Sequence, residues 1–297
     1  MQHLNACPAC GSSQIQFCFN SRDNSVSRQE FAIWECKDCS LRFTQDVPSQ
    51  HEIGPFYQAE AYISHTDSQK GFINRVYHLV RTVTMRRKLR LIQKISGMPA
   101  GRLLDIGAGT GLFCHTMKNA GWNVTGLEPD VETRKWAKEH RGIDLLSSDS
   151  LFTLVEGADV VTLWHVLEHV HALHEYLDQI AKLLTGRGKL LIAVPNYTSF
   201  DAKNYGKNWA AYDVPRHLYH FSPAAMEKLL QHHGFRVLSF KPMWFDSFYV
   251  SMLTEKYKGK FPGVVRAICI GALSNLFALV NTKKCSSVIY IAVKKQI

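Results

Sequence analysis

No run of twenty apolar residues, the ordinary length of a bilayer-spanning helix, occurs in this sequence, and no segment is assigned as transmembrane. The nearest approach, Gly263 to Val280, is broken by Arg266, Ser274 and Asn275. Met1 to Cys10 is polar and leads straight into cysteines, unlike an export signal. Internal repeats and low-complexity tracts are missing too, which excludes a repeat architecture. Charged residues are 20% against 46% apolar, which excludes a disordered chain. Acid is the scarcer sign: 25 Asp and Glu against 35 Lys and Arg leave a net charge of +10. Such an excess admits nucleic acid, an anionic membrane surface or an acidic small molecule as partner. The densest basic cluster, Arg86-Arg87-Lys88-Leu89-Arg90, lies in a segment of helical period and reads as a solvated helix face.

What is present divides into three regions. Residues 1–46 hold two cysteine pairs and short strand-like runs at 15–19 and 31–35. Residues 47–98 begin as a Pro/Gly-punctuated connector and continue as an amphipathic helix, with Phe72, Val76, Leu79, Val80, Val83, Ile92 and Ile95 recurring at helical spacing. Gly97 and Pro99 end it. From residue 99 to 297 strands and helices alternate, the pattern of an α/β doubly wound sheet. Seven strands are expected, at 102–106, 123–127, 143–146, 159–164, 189–194, 235–240 and 288–293. The interval 241–286 is too long for a simple connection and predicts a helical insertion before the last strand.

Chemistry concentrates first at Asp105-Ile106-Gly107-Ala108-Gly109-Thr110-Gly111, between a strand and a helix. Glycines there let the backbone turn tightly and expose main-chain N–H groups to a ligand. The dinucleotide fingerprint needs glycine at 112, where Leu112 stands, so an NAD-type reading is disfavoured. Glu128 ends the second strand, where a carboxylate can accept from both ribose hydroxyls, and Asp149 follows the third, suited to an adenine amino group. In these features the chain resembles the class I S-adenosylmethionine-dependent methyltransferases, closely from Leu103 to Val194 and loosely from Met85 onward. The resemblance implies a Rossmann-like fold. It places Asp105, Gly107, Gly109, Gly111, Glu128 and Asp149 at cofactor positions, with Ala108, Ser150, Trp164 and His165 completing the pocket.

The fourth strand runs into Trp164-His165-Val166-Leu167-Glu168-His169. His165, Glu168 and His169 match the spacing of a zinc-peptidase motif, but that motif needs a helix and here it straddles a strand end. The same stretch is similar to quinone-precursor O-methyltransferases, which carry an acid/histidine cluster there and Asn or Asp at the position of Asn196. Some of them hold a divalent metal with it. His165 stands where those enzymes have glutamate, so the alternatives of a second divalent metal, a Glu168–His169 general-base pair and a helix cap all stay open. Downstream, Trp209 to Ser222 is dense in histidine and aromatics and covers the acceptor in the related family. His217 and His220 are candidate bases there, with packing of either imidazole as the alternative.

Cys7-Pro8-Ala9-Cys10 and Cys36-Lys37-Asp38-Cys39 suit two knuckles around one structural zinc, the 25-residue gap between them holding a hairpin. Cys18, Cys114, Cys269 and Cys285 read as packing. A zinc module before a class I methyltransferase resembles deoxysugar methyltransferases and a ribosomal RNA guanine methyltransferase. Tyr62 and His65 look like a segment shared with related bacterial enzymes, reaching the cofactor or the acceptor. The expected reaction is methyl transfer to a hydroxyl of a small molecule: a sugar, a lipid-linked intermediate or a quinone-type phenol. RNA is the alternative acceptor, and a non-catalytic cofactor-binding regulator the alternative class. Eight cysteines without an export signal indicate a cytoplasmic location. Gly263 to Val280, flanked by Lys256, Lys258, Lys260, Lys283 and Lys284, reads as a protein-buried lid helix or dimer contact ahead of a helix at the membrane's inner face.

Overall fold

The computed structural model describes residues 1–57, 72–155, 157–259 and 263–295, with the backbone alone over 72–80. Tyr62 and His65 lie outside the described residues. Two sheets organise the chain. In the smaller, β1 (Ile15–Arg22), β2 (Glu30–Cys36) and β3 (Arg42–Thr44) form an antiparallel meander. After α1 (Phe72–Ser96), the larger sheet is laid down by β4 (Arg102–Ile106), α2 (Leu112–Asn119), β5 (Asn123–Leu127), α3 (Val131–Arg141), β6 (Ala158–Trp164), α4 (Leu173–Leu183) and β7 (Leu184–Pro195). There follow α5 (Phe200–Tyr205), β8 (Tyr219–His220), α6 (Pro223–His232), β9 (Phe235–Pro242), α7 (Asp246–Lys258), α8 (Gly263–Val280) and β10 (Ser287–Lys294).

The larger sheet has the order β5-β4-β6-β7-β10-β9, parallel from β5 to β7 and with β10 antiparallel to both neighbours. The chain leaves β4 toward β5 on one side and returns to β6 on the other. A crevice at the carboxyl ends of β4 and β6 follows, where ligands of open α/β sheets sit.

The expected seventh strand, at 143–146, is a correction: the sheet has six strands, and this segment contributes one bridge, Leu127 to Leu146. Ile143 and Leu145 bury themselves against Cys114 and Ala137. Their alternation is satisfied by α2 and α3, without a ladder.

Nor does the cysteine region stand apart. β3 pairs with β8, from the far side of the chain, through Arg42–His220 and Phe43–Tyr219. Cys36, Cys39, Leu41 and Phe43 share one core with Leu104, Ile106, Tyr219 and Phe221. Arg216, fully buried, locks this junction: its guanidinium meets Asp23 at 3.0 Å and Asp213 at 2.6 Å. Asp23 is held in the β1–β2 turn by the N–H groups of Ser25, Val26 and Ser27.

Of the readings of residues 263–280, a lid helix buried within the chain needs correction, whereas a dimer contact is untouched by one chain's burial. Only a small-residue stripe of α8 is buried (Ala267, Ile270, Gly271, Ser274, Ala278). Val264, Val265, Ile268, Leu276, Leu279 and Val280 are more than half exposed. Burial ends where α5 and α7 end, because nothing lies beyond them among the described residues.

Candidate active site

The glycine loop follows β4, and Gly107, Gly109 and Gly111 all take left-handed φ values (73°, 53° and 71°). At Gly107 the need is also steric, since a Cβ would stand 2.3 Å from Val166 Cγ2, so the loop after β6 lies directly on it. Gly109 N–H donates to Glu128 Oε2 at 2.8 Å, and Asp130 N–H to Oε1 at 3.1 Å. The acid thus braces the loop and keeps further lone pairs for a ligand. Asp149 is exposed and Ser150 half-buried on the turn after the bridge at Leu146.

Asp105 is buried beneath the loop, accepting from Thr162 Oγ1 at 2.6 Å. Burial raises its carboxyl to about 6, against the pull of Thr162 and of Lys88. Lys88 belongs to the basic cluster expected to form a solvated face, yet its ammonium lies 3.9 Å from the centroid of Trp164 at the end of β6. Desolvation lowers it to about 8, opposed by Asp105 and Asp246. The missed signal was spacing: Lys88 shares a helix face with Met85, Ile92 and Ile95, which pack in the core.

His165, at φ 57°, places Nε2 2.9 Å from Asp246 Oδ2 and Nδ1 3.4 Å from Glu168 Oε1. Burial works against its charge, but Asp246 and Glu168 outweigh it and raise the imidazole to about 10. Asp246 opens α7 of the insertion, and no local pattern announced it. Glu168 is fully buried, with neither carboxylate oxygen hydrogen bonded. Burial alone would push its carboxyl up. The imidazoles of His165, His217 and His169 prevail and hold it below the ordinary value.

Glu168, His169 and His217 each bring a ligand atom within 4.8 Å of the others. His169 Nδ1 lies 3.1 Å from the Arg216 carbonyl and His217 Nδ1 2.8 Å from that of Ala211. A carbonyl only accepts, so each Nδ1 carries a proton, and His169 Nδ1 also lies 3.1 Å from the Tyr57 hydroxyl. Burial and the neighbouring His217 lower His169 to about 4, so it is neutral near pH 7.

Two expected residues fall outside this cluster. His220 lies in β8, buried, with Nε2 3.1 Å from Thr44 Oγ1 and its ring edge-on to Tyr212. We assign it to the junction. Asn196 is saturated: it donates to the carbonyls of Lys283 and Cys285 and accepts from Thr198, leaving nothing for a metal.

At the other end of the junction the two cysteine pairs form matching knuckles. Gly11 N–H donates to the Cys7 carbonyl and Ser40 N–H to that of Cys36, both at 2.9 Å, with left-handed φ at Gly11 and Ser40. The four sulfurs converge, Cys7 to Cys39 at 3.5 Å and Cys10 to Cys36 at 3.6 Å. Hairpin β1–β2 fills the gap between the pairs.

An open sheet of this order, with a braced glycine loop and an acid closing the next strand, is the arrangement of an S-adenosylmethionine-dependent methyltransferase. The methyltransferase domain family profile matches residues 78–240, more than half the chain, and the chain belongs to that family. A ubiquinone biosynthesis O-methyltransferase of Rhodopseudomonas palustris (strain HaA2) is 29% identical over 171 residues, 54% of this chain and 67% of that one. Its counterpart in Nitrobacter winogradskyi is 31% identical over 123 residues, 39% of this chain and 47% of its own length. The chain thus spans between about half and two thirds of these relatives. Magnesium protoporphyrin IX methyltransferase from Synechocystis PCC 6803, solved with bound SAH, shares the fold with a TM-score of 0.51 at 16% identity, covering 78% of this chain and 91% of that one.

Proposed function

We propose that the chain transfers the methyl group of S-adenosylmethionine to a hydroxyl of a small quinone-type phenol. The observation that carries this reading is the Glu168, His169 and His217 cluster that follows β6, with Glu168 and His217 buried, His169 half-buried and both Glu168 oxygens without a hydrogen bond. The O-methyltransferases of quinone biosynthesis among its relatives support the acceptor class. In the reaction the S–CH3 bond breaks as the O–CH3 bond forms. S-adenosylhomocysteine leaves, and the hydroxyl proton passes to His169 Nε2 with Glu168 balancing the charge. Positioning and desolvation supply the rest. Glu168, His169 and His217 also fit a divalent cation, which when bound would lower the pKa of the acceptor hydroxyl. Zinc at Cys7, Cys10, Cys36 and Cys39 is structural in this reading, and four thiolates on one zinc suit a reducing, cytoplasmic setting.

Glu128 receives the ribose hydroxyls, Asp105 faces the cofactor's ammonium and Lys88 its carboxylate. Glu128→Gln is expected to weaken S-adenosylmethionine binding about 10- to 100-fold by calorimetry, the value of one or two charged hydrogen bonds. The direct test incubates the protein with methyl-tritiated cofactor and a fractionated lysate, with Glu128→Gln as control. Label in the organic-soluble fraction is expected, whereas label in RNA would overturn the acceptor class.

Cofactor affinity should also depend on pH in a defined way. Asp105 gains its charge above about 6 and Lys88 loses its own above about 8. Binding is therefore expected to be tightest between those values and to fall on both sides, and a flat profile from pH 5 to 9 would dismiss both contacts.

The exposed apolar face of α8, with Lys258, Arg266, Lys283 and Lys284 near its ends, suits an anionic lipid surface from which a lipophilic phenol is drawn. Flotation with phosphatidylglycerol vesicles should carry the protein upward. Leu276→Glu together with Leu279→Glu should abolish this, and equal flotation of both proteins would refute it.

A further inference from the structure

A second group of imidazoles lies against the first cysteine knuckle, distinct from the Glu168, His169 and His217 cluster. His174 stands in the first turn of α4, His232 ends α6, and His233 caps it. Their ring centroids form a near-regular triangle: 5.0 Å from His174 to His233, 5.8 Å from His174 to His232 and 5.2 Å from His232 to His233. One nitrogen from each lies within 4.8 Å of the others.

The outer hydrogen bonds fix the chemistry of the inner nitrogens. His174 Nε2 lies 2.9 Å from the Pro8 carbonyl, which can only accept, so that nitrogen carries a proton. His233 Nδ1 lies 2.6 Å from Asp178 Oδ1, and the carboxylate likewise takes a proton from it. His174 Nδ1 then faces His233 Nε2 at 2.8 Å, hydrogen-bond distance. With the outer nitrogens committed to acceptors, either a proton or a metal ion fills the space between these two inner nitrogens. A backbone carbonyl behind one histidine and a carboxylate behind the other are the supports that metal-bound histidines have. His232 is exposed and gives solvent access.

We propose that His174, His232 and His233 bind one transition-metal ion of the kind that prefers imidazole, such as Zn2+, Ni2+ or Cu2+. Two nitrogens at about 2.0–2.1 Å from a tetrahedral ion stand about 3.3 Å apart, so the pair opens by about 0.5 Å to receive it. Solvent takes the remaining position. Because Pro8 lies between Cys7 and Cys10, the ion ties the cysteine knuckle to α4 and α6. It acts as a second fastening between the small sheet and the large one.

The test dialyses the full-length protein, zinc-loaded beforehand, against Co2+ and counts cobalt per chain while recording its spectrum. His232→Ala is expected to hold one equivalent fewer than wild type. The missing equivalent should lack thiolate-to-cobalt charge transfer, which separates it from the cysteine site. Asp178→Asn should weaken that equivalent about 10- to 100-fold. The His232 and Asp178 side chains lie largely in solvent, so both variants should melt like wild type before cobalt is added. Equal cobalt uptake by wild type and His232→Ala overturns the proposal, whatever the other sites hold.

Discussion

Glu168→Gln is expected to lower kcat about a thousandfold while the affinity for S-adenosylmethionine stays within about threefold of wild type. The substitution keeps shape and volume and removes one charge. In the native chain both carboxylate oxygens are buried without a hydrogen bond, which is expensive unless they serve a partner that arrives with the substrate. In the proposed reaction a proton accepted at His169 would create an imidazolium where burial resists it, and the Glu168 charge would offset that cost. Positioned proton transfer contributes about 10²–10⁴-fold, and the neutral amide forfeits most of that. His165 loses one of its two acidic neighbours but keeps Asp246 at 2.9 Å, so the loop over Gly107 should hold and the cofactor should bind. Single-turnover kinetics with a phenolic acceptor would separate the two effects. A kcat within threefold of wild type would reduce Glu168 to a support for His165 and remove the cluster from the chemistry.

Local chemistry was legible in the sequence, and assembly was not. Glycines 107, 109 and 111 and the acid at Glu128 act within one β-α-β unit, so spacing along the chain was enough to find them. The cysteine knuckles are likewise local, each closed by its own backbone turn. His217 reaches Glu168 only because the loop from Trp209 to Ser222 is pinned by Arg216 to Asp23, some two hundred positions earlier in the chain. Asp246 meets His165 across the sheet from an insertion with no motif of its own. Lys88 was hidden by its company, since its three basic neighbours Arg86, Arg87 and Arg90 suggest a wet helix face while the helical period sets this one inward. His220 misled in the opposite sense. Three residues from His217 it points along a strand rather than a helix, so the two imidazoles part and it enters the small sheet. At 143–146 an alternating apolar pattern reported burial correctly, but burial between two helices needs no strand pairing.

Removing zinc from the four cysteines is expected to lower the melting temperature by about 10 °C and to abolish methyl transfer while cofactor binding persists. Zinc supplies about 10–16 kcal/mol of apparent binding energy in isolated finger peptides, all of it felt as folding energy there. Here the knuckles have a large neighbour, so only part of that is lost. At about 2 °C per kcal/mol for a chain of this size, a loss near 5 kcal/mol gives the stated shift. The loss of activity follows from connectivity. Cys36 and Cys39 bracket the turn that leads into β3, β3 pairs with β8, and β8 continues the loop that carries His217. Once the sulfurs are released, the hairpin bearing Asp23 no longer has a fixed place, and the buried Arg216 guanidinium loses a charge partner it cannot replace. The glycine loop and Glu128 belong to the other sheet and take no part in the β3–β8 pairing or the Arg216 ion pairs; β4 touches the knuckle only through the shared apolar core, so S-adenosylmethionine should still bind. Chelator dialysis followed by calorimetry and transfer assays, with Cys36→Ser as the genetic equivalent, reads both effects. An unchanged melting temperature with full activity would mean that the knuckles hold no zinc the fold depends on. Cofactor binding lost in step with activity would instead make the two sheets a single cooperative unit, with the junction at Arg216 as the element that couples them.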